Sequence, residues 1–249
     1  MSDVLCIAGM HRSGTSLVTN WLSRSGLVVH DGQPLPATTG NPAGHFEDAE
    51  FALLQHHAIL AAYPDSKGWV VTDPNAPKIL YLPPAAKLLV QRRIRKYPLW
   101  GWKDPRSMHF LHAWKALIPD MKSLIVWRHP QQVIDSLLRR AEQASGGTAD
   151  FLAISEQQAL ALWLASNRQA LDYAETFKDD TLVVSLDLLL RHSQEFIPHI
   201  RDRLGIPLEA VPLDTVYDAN LLGKTEPGSC PPEAVATVDA LERISVPLA

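Results

Sequence analysis

The residues best placed to do chemistry stand near the start of the chain, as Gly9-Met10-His11-Arg12-Ser13-Gly14-Thr15-Ser16. The apolar run Val4 to Ala8 precedes them, and an apolar helical pattern from Thr15 to Ser25 follows. A strand that breaks into a glycine-bounded loop and then a helix turns several backbone N–H groups onto one anion, and the helix dipole adds favourable potential there. Thr15 and Ser16 open the helix, where N–H groups lack intrahelical partners and hydroxyls can donate to phosphate or sulfate oxygens. Arg12 and Ser13 lie inside the loop, and the Arg12 guanidinium can close over the same anion. The plain alternative is an ordinary strand–turn–helix with an exposed arginine.

Gly9 and Gly14 are five apart, as in a Walker A loop, but Thr15 stands where nucleotide-triphosphate enzymes place lysine. That lysine serves a terminal phosphate, so its absence points to a ligand with a shorter anionic tail. A second motif is Leu124-Ile125-Val126-Trp127-Arg128-His129-Pro130, followed by a helix containing Ser136. Pro130 suits the first turn, where its missing N–H costs nothing. Arg128 at the strand end and Ser136 two turns into the helix can both reach one phosphate. Arg139 and Arg140, further along, read as solvated surface charges.

The third motif, Trp100-Gly101-Trp102-Lys103-Asp104-Pro105-Arg106, puts Lys103 and Asp104 at another strand end. Read plainly they are a surface ion pair at a turn; Arg106 either adds a cation or pairs with Asp104. The fourth, Gly40-Asn41-Pro42-Ala43-Gly44-His45-Phe46-Glu47-Asp48, is a loop whose acids precede a helix, where carboxylates also cap N–H groups. Asp48 is read as that cap. His109 and His112 lie three apart on a helix without a third ligand in sight, so metal binding is not expected. His56, His57, Trp163 and Asn167 read as packing or surface, with the lining of a ligand pocket as an alternative for Trp163.

The elements that must hold these groups alternate. Buried-strand runs occur at Val4 to Ala8, Leu99 to Trp102, Leu124 to Trp127 and Leu182 to Val184. Helical patterns occupy Thr15 to Ser25, Ala49 to Ala62, Ala85 to Lys96, Met108 to Leu117, Gln131 to Glu142 and a long stretch from Phe151 to Phe177. Alternation of this kind predicts a three-layer α/β/α fold with a central parallel sheet, and ligands beyond the carboxyl ends of its strands. From about Val211 prolines are frequent and periodicity weak, which predicts a wrap or flap over the sheet.

The 249 residues fit one domain spanning 1–249. With 46% hydrophobic and 20% charged residues a substantial core is available, and the net charge of −4 argues against nucleic-acid or membrane-surface binding. Two cysteines, Cys6 and Cys230, give neither a disulfide framework nor a metal motif. No apolar run reaches the roughly 18 residues of a membrane span. The first strand begins near residue 3, leaving no room for a signal peptide, so the expected location is cytoplasmic.

Taken together, the Arg-Ser-Gly-Thr loop with Arg128 and Ser136 after a later strand resembles the sulfotransferases that use 3′-phosphoadenosine 5′-phosphosulfate. The likeness is closest to bacterial sulfotransferase-like proteins and more distant to the tyrosylprotein sulfotransferases, which share the loop and a Lys-Asp-Pro motif. It covers residues 1 to about 190 and implies a fold of the P-loop nucleotide-binding type. It implies that Arg12, Ser13, Gly14, Thr15 and Ser16 hold the 5′-phosphosulfate, that Arg128 and Ser136 hold the 3′-phosphate, and that Lys103 contacts the bridging oxygen. Transfer to a hydroxyl or amine then needs a base, with Glu47 the first candidate and His45 the second. The product would be adenosine 3′,5′-bisphosphate, with no metal expected. Where the family often carries a tyrosine, this chain reads Val184-Ser185-Leu186-Asp187-Leu188. Lys224 either reaches the donor from the C-terminal segment or is an exposed loop lysine. The acceptor class (carbohydrate, lipid, peptide or small metabolite) has no readable code. The rivals are a P-loop kinase or NTPase with an altered Walker A loop, and a nucleotide-binding module without a base.

Overall fold

The first strand, β1 (Asp3–Ala8), divides its side chains between two apolar clusters. Val4, Cys6 and Ala8 enter one, while Leu5 and Ile7 enter the other. That is the period-two geometry of a strand covered on both faces. A computed structural model describes residues 2–245 except 33, 36–43, 45, 74, 77 and 218–229. Among these, β1, β2 (Leu99–Lys103), β3 (Lys122–Trp127) and β4 (Thr181–Ser185) form a parallel sheet in the order β2-β1-β3-β4. Val28 extends it past β2 by a parallel bridge to Trp100.

The helices, in chain order, are α1 (Thr15–Arg24), α2 (Ala49–Ala62), α3 (Pro84–Lys96), α4 (Leu111–Leu117), α5 (Pro130–Gln143), α6 (Ala149–Leu152), α7 (Glu156–Thr176), α8 (Leu186–Arg191), α9 (Ser193–Leu204) and α10 (Val235–Ile244). Val18, Leu186, Leu189, Phe196 and Ile200 of α1, α8 and α9 pack on the Leu5/Ile7 face. Helices α2–α5, α7 and α10 bury theirs on the opposite face, giving the α/β/α layering expected from the alternation of elements.

Three expectations need correction. The pattern from Phe151 to Phe177 is two helices, because Ser155 starts α7 with a capping box: its Oγ accepts from Gln158 N–H at 3.2 Å, and its own N–H donates to Gln158 Oε1 at 2.9 Å. The pattern from Met108 to Leu117 begins as a 3₁₀ turn, Pro105–His109, and becomes α-helical only at Leu111. The stretch beyond Val211 contains α10, whose Val238 and Leu241 are buried with α7 in the same cluster.

The strand order reverses between β1 and β3, so the loops leaving their carboxyl ends diverge and open a crevice. Gly9 and Arg128 follow those two ends directly. On the far side of β1, the Phe51 ring stacks on Trp102 at 4.6 Å, and Trp114 packs on Trp102 at 5.0 Å. Such aromatic contacts add to the area they bury. They fix the end of β2, and so the root of Lys103.

Candidate active site

Between β1 and α1 the backbone turns through Gly9 (φ 155), Arg12 (φ 70) and Gly14 (φ 86). At Gly9 a Cβ would lie 2.2 Å from the Val126 carbonyl oxygen, so β3 can pass beside the loop only because the residue is glycine. Gly14 precedes α1 without a side-chain cap, which leaves the first-turn N–H groups directed out of the helix. Ser13 is buried, and its Oγ has no hydrogen-bond partner among the described residues. A positively biased loop with a buried hydroxyl and no room for a Cβ fits an oxyanion ligand.

Arg12 donates from Nε to Ser136 Oγ at 2.8 Å, across 124 residues of sequence. Burial lowers the Arg12 pKa from its ordinary value, and the charges of Arg128 and Arg139 lower it further. Arg128 is buried, donates to Gln132 Oε1 at 2.9 Å, and has its carbonyl held by Trp163 Nε1 at 3.0 Å. Its pKa is also lowered, first by burial and then, against the opposing charge of Asp187, by Arg139. The structure thus gathers Arg12, Arg128 and Ser136 in one place, with Arg139 near enough to act on both guanidinium groups.

A second cluster forms at the end of β2. Lys103, 1% exposed, donates to Glu47 Oε1 at 2.5 Å and to Ser16 Oγ at 3.1 Å. Burial pushes the Glu47 carboxyl above its usual range and the Lys103 ammonium below its own, each opposed by the charge of the other. Asp104, fully buried, accepts from Arg106 Nε at 2.8 Å and Nη2 at 2.9 Å, and caps the 3₁₀ turn through Arg106 N–H. A surface Lys103–Asp104 pair is therefore not what forms: each residue is buried with a different partner. Asp48 caps α2 as expected, accepting from Glu50 N–H at 2.9 Å. It also receives the buried Arg93, which reaches Asp31 at 2.5 Å and Glu50 at 3.1 Å as well. That clamp fixes the segment bearing Glu47, and neighbouring Leu35 N–H holds the Glu47 carbonyl at 2.9 Å.

His45 and Lys224 lie outside the described residues. Trp163 and Asn167 are buried core, with Asn167 bonded to the Trp163 carbonyl at 2.8 Å, so Trp163 does not line a pocket. Arg139 is exposed, but Arg140 is not a solvated surface charge: its guanidinium lies 4.8 Å over the Trp69 ring. The sequence carried a signal for this, since Arg140 is four residues after Ser136 and shares its helix face. His11 and Trp69 were not singled out; nothing local marks them. Among the described residues no cluster of three or more His, Cys, Asp or Glu is arranged to hold a metal, and no helix is long and apolar enough to cross a membrane.

The parallel sheet carries a glycine-bounded loop at its switch point, with a lysine–carboxylate pair beside it. The model of the Sulfotransferase family matches residues 5–210, most of the chain, and the chain belongs to that family. No curated protein matches the sequence. Among solved structures it is similar to a sulfotransferase from Alicyclobacillus acidocaldarius, at 14% identity and a TM-score of 0.51, covering 98% of this chain and 94% of that one. A sulfotransferase domain from the curacin biosynthetic pathway matches at 14% identity and a TM-score of 0.49, over 99% and 93% of the two chains.

Proposed function

We propose that the protein moves a sulfuryl group from 3′-phosphoadenosine 5′-phosphosulfate to a hydroxyl or amine by in-line displacement. The observation that supports this is the meeting of Lys103, Glu47 and Ser16 beside the loop, an ammonium, a carboxylate and a hydroxyl within hydrogen-bond reach. The donor, when bound, supplies an activated sulfuryl group on a good leaving phosphate. The N–H groups of residues 13–16 and the Ser13 hydroxyl hold its 5′ end. Arg128 and Ser136 hold the 3′-phosphate, and Arg12 joins them there rather than at the 5′ end where the loop motif put it, because its Nε bonds Ser136 Oγ at 2.8 Å. The anion offsets the burial and repulsion that lower the pKa values of both guanidinium groups.

Glu47 takes the proton from the acceptor. A carboxylate raised by burial is a stronger base than one in water, closer to what abstraction near neutral pH requires. Lys103 turns its ammonium toward charge developing at the bridge oxygen, and Ser16 steadies it. At an effective dielectric near 20 and about 4 Å, a full charge pair is worth about 4 kcal/mol. If half of that arises only in the transition state, the rate gains roughly tenfold to a hundredfold.

The test is incubation with sulfur-labelled donor and a cell extract, followed by isolation of the labelled product. Label should pass to an acceptor with wild-type protein, and roughly tenfold to a hundredfold more slowly with Lys103→Ala. Transfer of phosphate from ATP with Mg²⁺ instead would move the chain to kinase chemistry.

A further inference from the structure

One half-buried cation has no part in the scheme above. Arg140 lies one helical turn beyond Ser136 on α5, with its guanidinium carbon 4.8 Å over Trp69. Its Nε and Nη2 are buried and have no hydrogen-bond partner among the described residues. These two atoms share one edge of the guanidinium. Arg106 uses that same edge to grip both oxygens of Asp104, at 2.8 and 2.9 Å. The ligand such an edge fits is a planar oxyanion, taken two-pronged. Burial and the charge of Arg12 lower the Arg140 pKa to about 10, so it is still a cation at neutral pH. An aromatic face favours it, but buried N–H groups left unbonded are costly.

His11 completes the geometry. Its ring meets Trp69 edge-on at 5.2 Å and 77°, and its Nε2 is likewise buried without a partner among the described residues. Burial holds its pKa well below the ordinary value, helped by Arg140, Arg106 and Lys103, so the ring is neutral and has one N–H to donate. The electrostatic neighbours set the pair between two regions: Arg140 feels Arg12 of the 3′-phosphate cluster, and His11 feels Arg106 and Lys103 at the end of β2. Trp69 belongs to the connection between α2 and α3, and its Nε1 is fixed to the Phe151 carbonyl of α6 at 3.1 Å. The wall behind Arg140 is therefore built from segments outside the β1 and β3 loops.

We propose that Arg140 and His11, set against Trp69, form an oxyanion subsite for the acceptor, and that the acceptor is a hydroxyl or amine compound that also carries a carboxylate. This rests on the sulfuryl-transfer reading, because it takes the acceptor to stand between this subsite and Glu47.

The experiment is calorimetric titration of the protein, saturated with adenosine 3′,5′-bisphosphate, with 4-hydroxybenzoate and with 4-hydroxybenzamide. The carboxylate should bind at least about tenfold more tightly than the amide. In Arg140→Met that preference should fall below about threefold while bisphosphate affinity stays within about threefold; His11→Ala should reduce it in the same direction. Equal affinity of the two probes for the wild type, or binding of neither, overturns the proposal without recourse to any variant. So does a loss of about tenfold or more in bisphosphate affinity in Arg140→Met, which would assign the cation to the donor. If the bisphosphate does not bind the wild type, the donor reading fails by itself. The same pair of titrations on nucleotide-free protein then decides the subsite.

Discussion

Lys103 and Glu47 are 56 residues apart, each read from a motif of its own, and together they are a buried ion pair at 2.5 Å. Replacing either should separate binding from chemistry. Lys103→Ala and Glu47→Gln should leave bisphosphate affinity within a few-fold while lowering kcat and kcat/KM together, by about 10²–10⁴ for the base. The pH profile follows from the direction of the Glu47 shift. A base works only when deprotonated, so kcat/KM should fall as the pH drops through a pKa above the ordinary 4.5, and that acid limb should vanish in Glu47→Gln. A limb near pH 6–7 that survives Glu47→Gln would pass the role to His45. At this scale the loop residues were legible, because Gly9, Arg12 and Gly14 declare backbone geometry by their types and spacing. The direction of Arg140 had only a faint signal, its place one helical turn after Ser136. Only the position of Trp69, 71 residues earlier, turns a surface-looking arginine inward.

Among the elements, the buried parallel strands were easy to read because they are nearly continuous apolar runs. The helices were harder. Helix α7 announces its start at Ser155 and Gln158, yet the apolar pattern runs across that boundary into α6 and hides it. The clamp that sets the Glu47 segment has no local signature either, since Arg93 on α3 reaches Asp31, Asp48 and Glu50 across three stretches of chain. Arg93→Met would strand a buried carboxylate at Asp48 and should cost roughly 3–5 kcal/mol in a denaturation experiment. A smaller loss would mean that Asp48 gains its compensation elsewhere. In the loop, Gly9→Ala should abolish bisphosphate binding, because the added Cβ meets the Val126 carbonyl at 2.2 Å and φ is 155. An alanine variant that binds normally would show that β3 and the loop can move apart.

For the whole molecule, the sheet order is what makes a site out of scattered motifs. Three candidate motifs stood at strand ends in the sequence, but only the arrangement β2-β1-β3-β4 puts the ends of β2 and β3 on either side of β1. Buried histidine also shapes the response of the fold to acid. Burial holds His109 at a pKa of about 4 against an ordinary 6.5. The unfolded chain therefore binds a proton first: the contribution of neutral His109 is fully present above pH 6.5 and is lost as the pH falls toward 4. That difference amounts to roughly 3 kcal/mol. His109→Gln should flatten the fall in stability over that window, as measured by denaturant midpoints at a series of pH values.

The central claim is that the loop after β1 and the Arg128–Ser136 pair hold the two ends of one nucleotide. Calorimetry with adenosine 3′,5′-bisphosphate and with 5′-AMP tests it most directly, since the ligands differ only in the 3′-phosphate. Charge-assisted hydrogen bonds of about 1.5–3 kcal/mol should make the bisphosphate bind roughly tenfold to a hundredfold more tightly. Equal affinity would contradict the assignment of Arg128 and Ser136, and with it the identity of the donor.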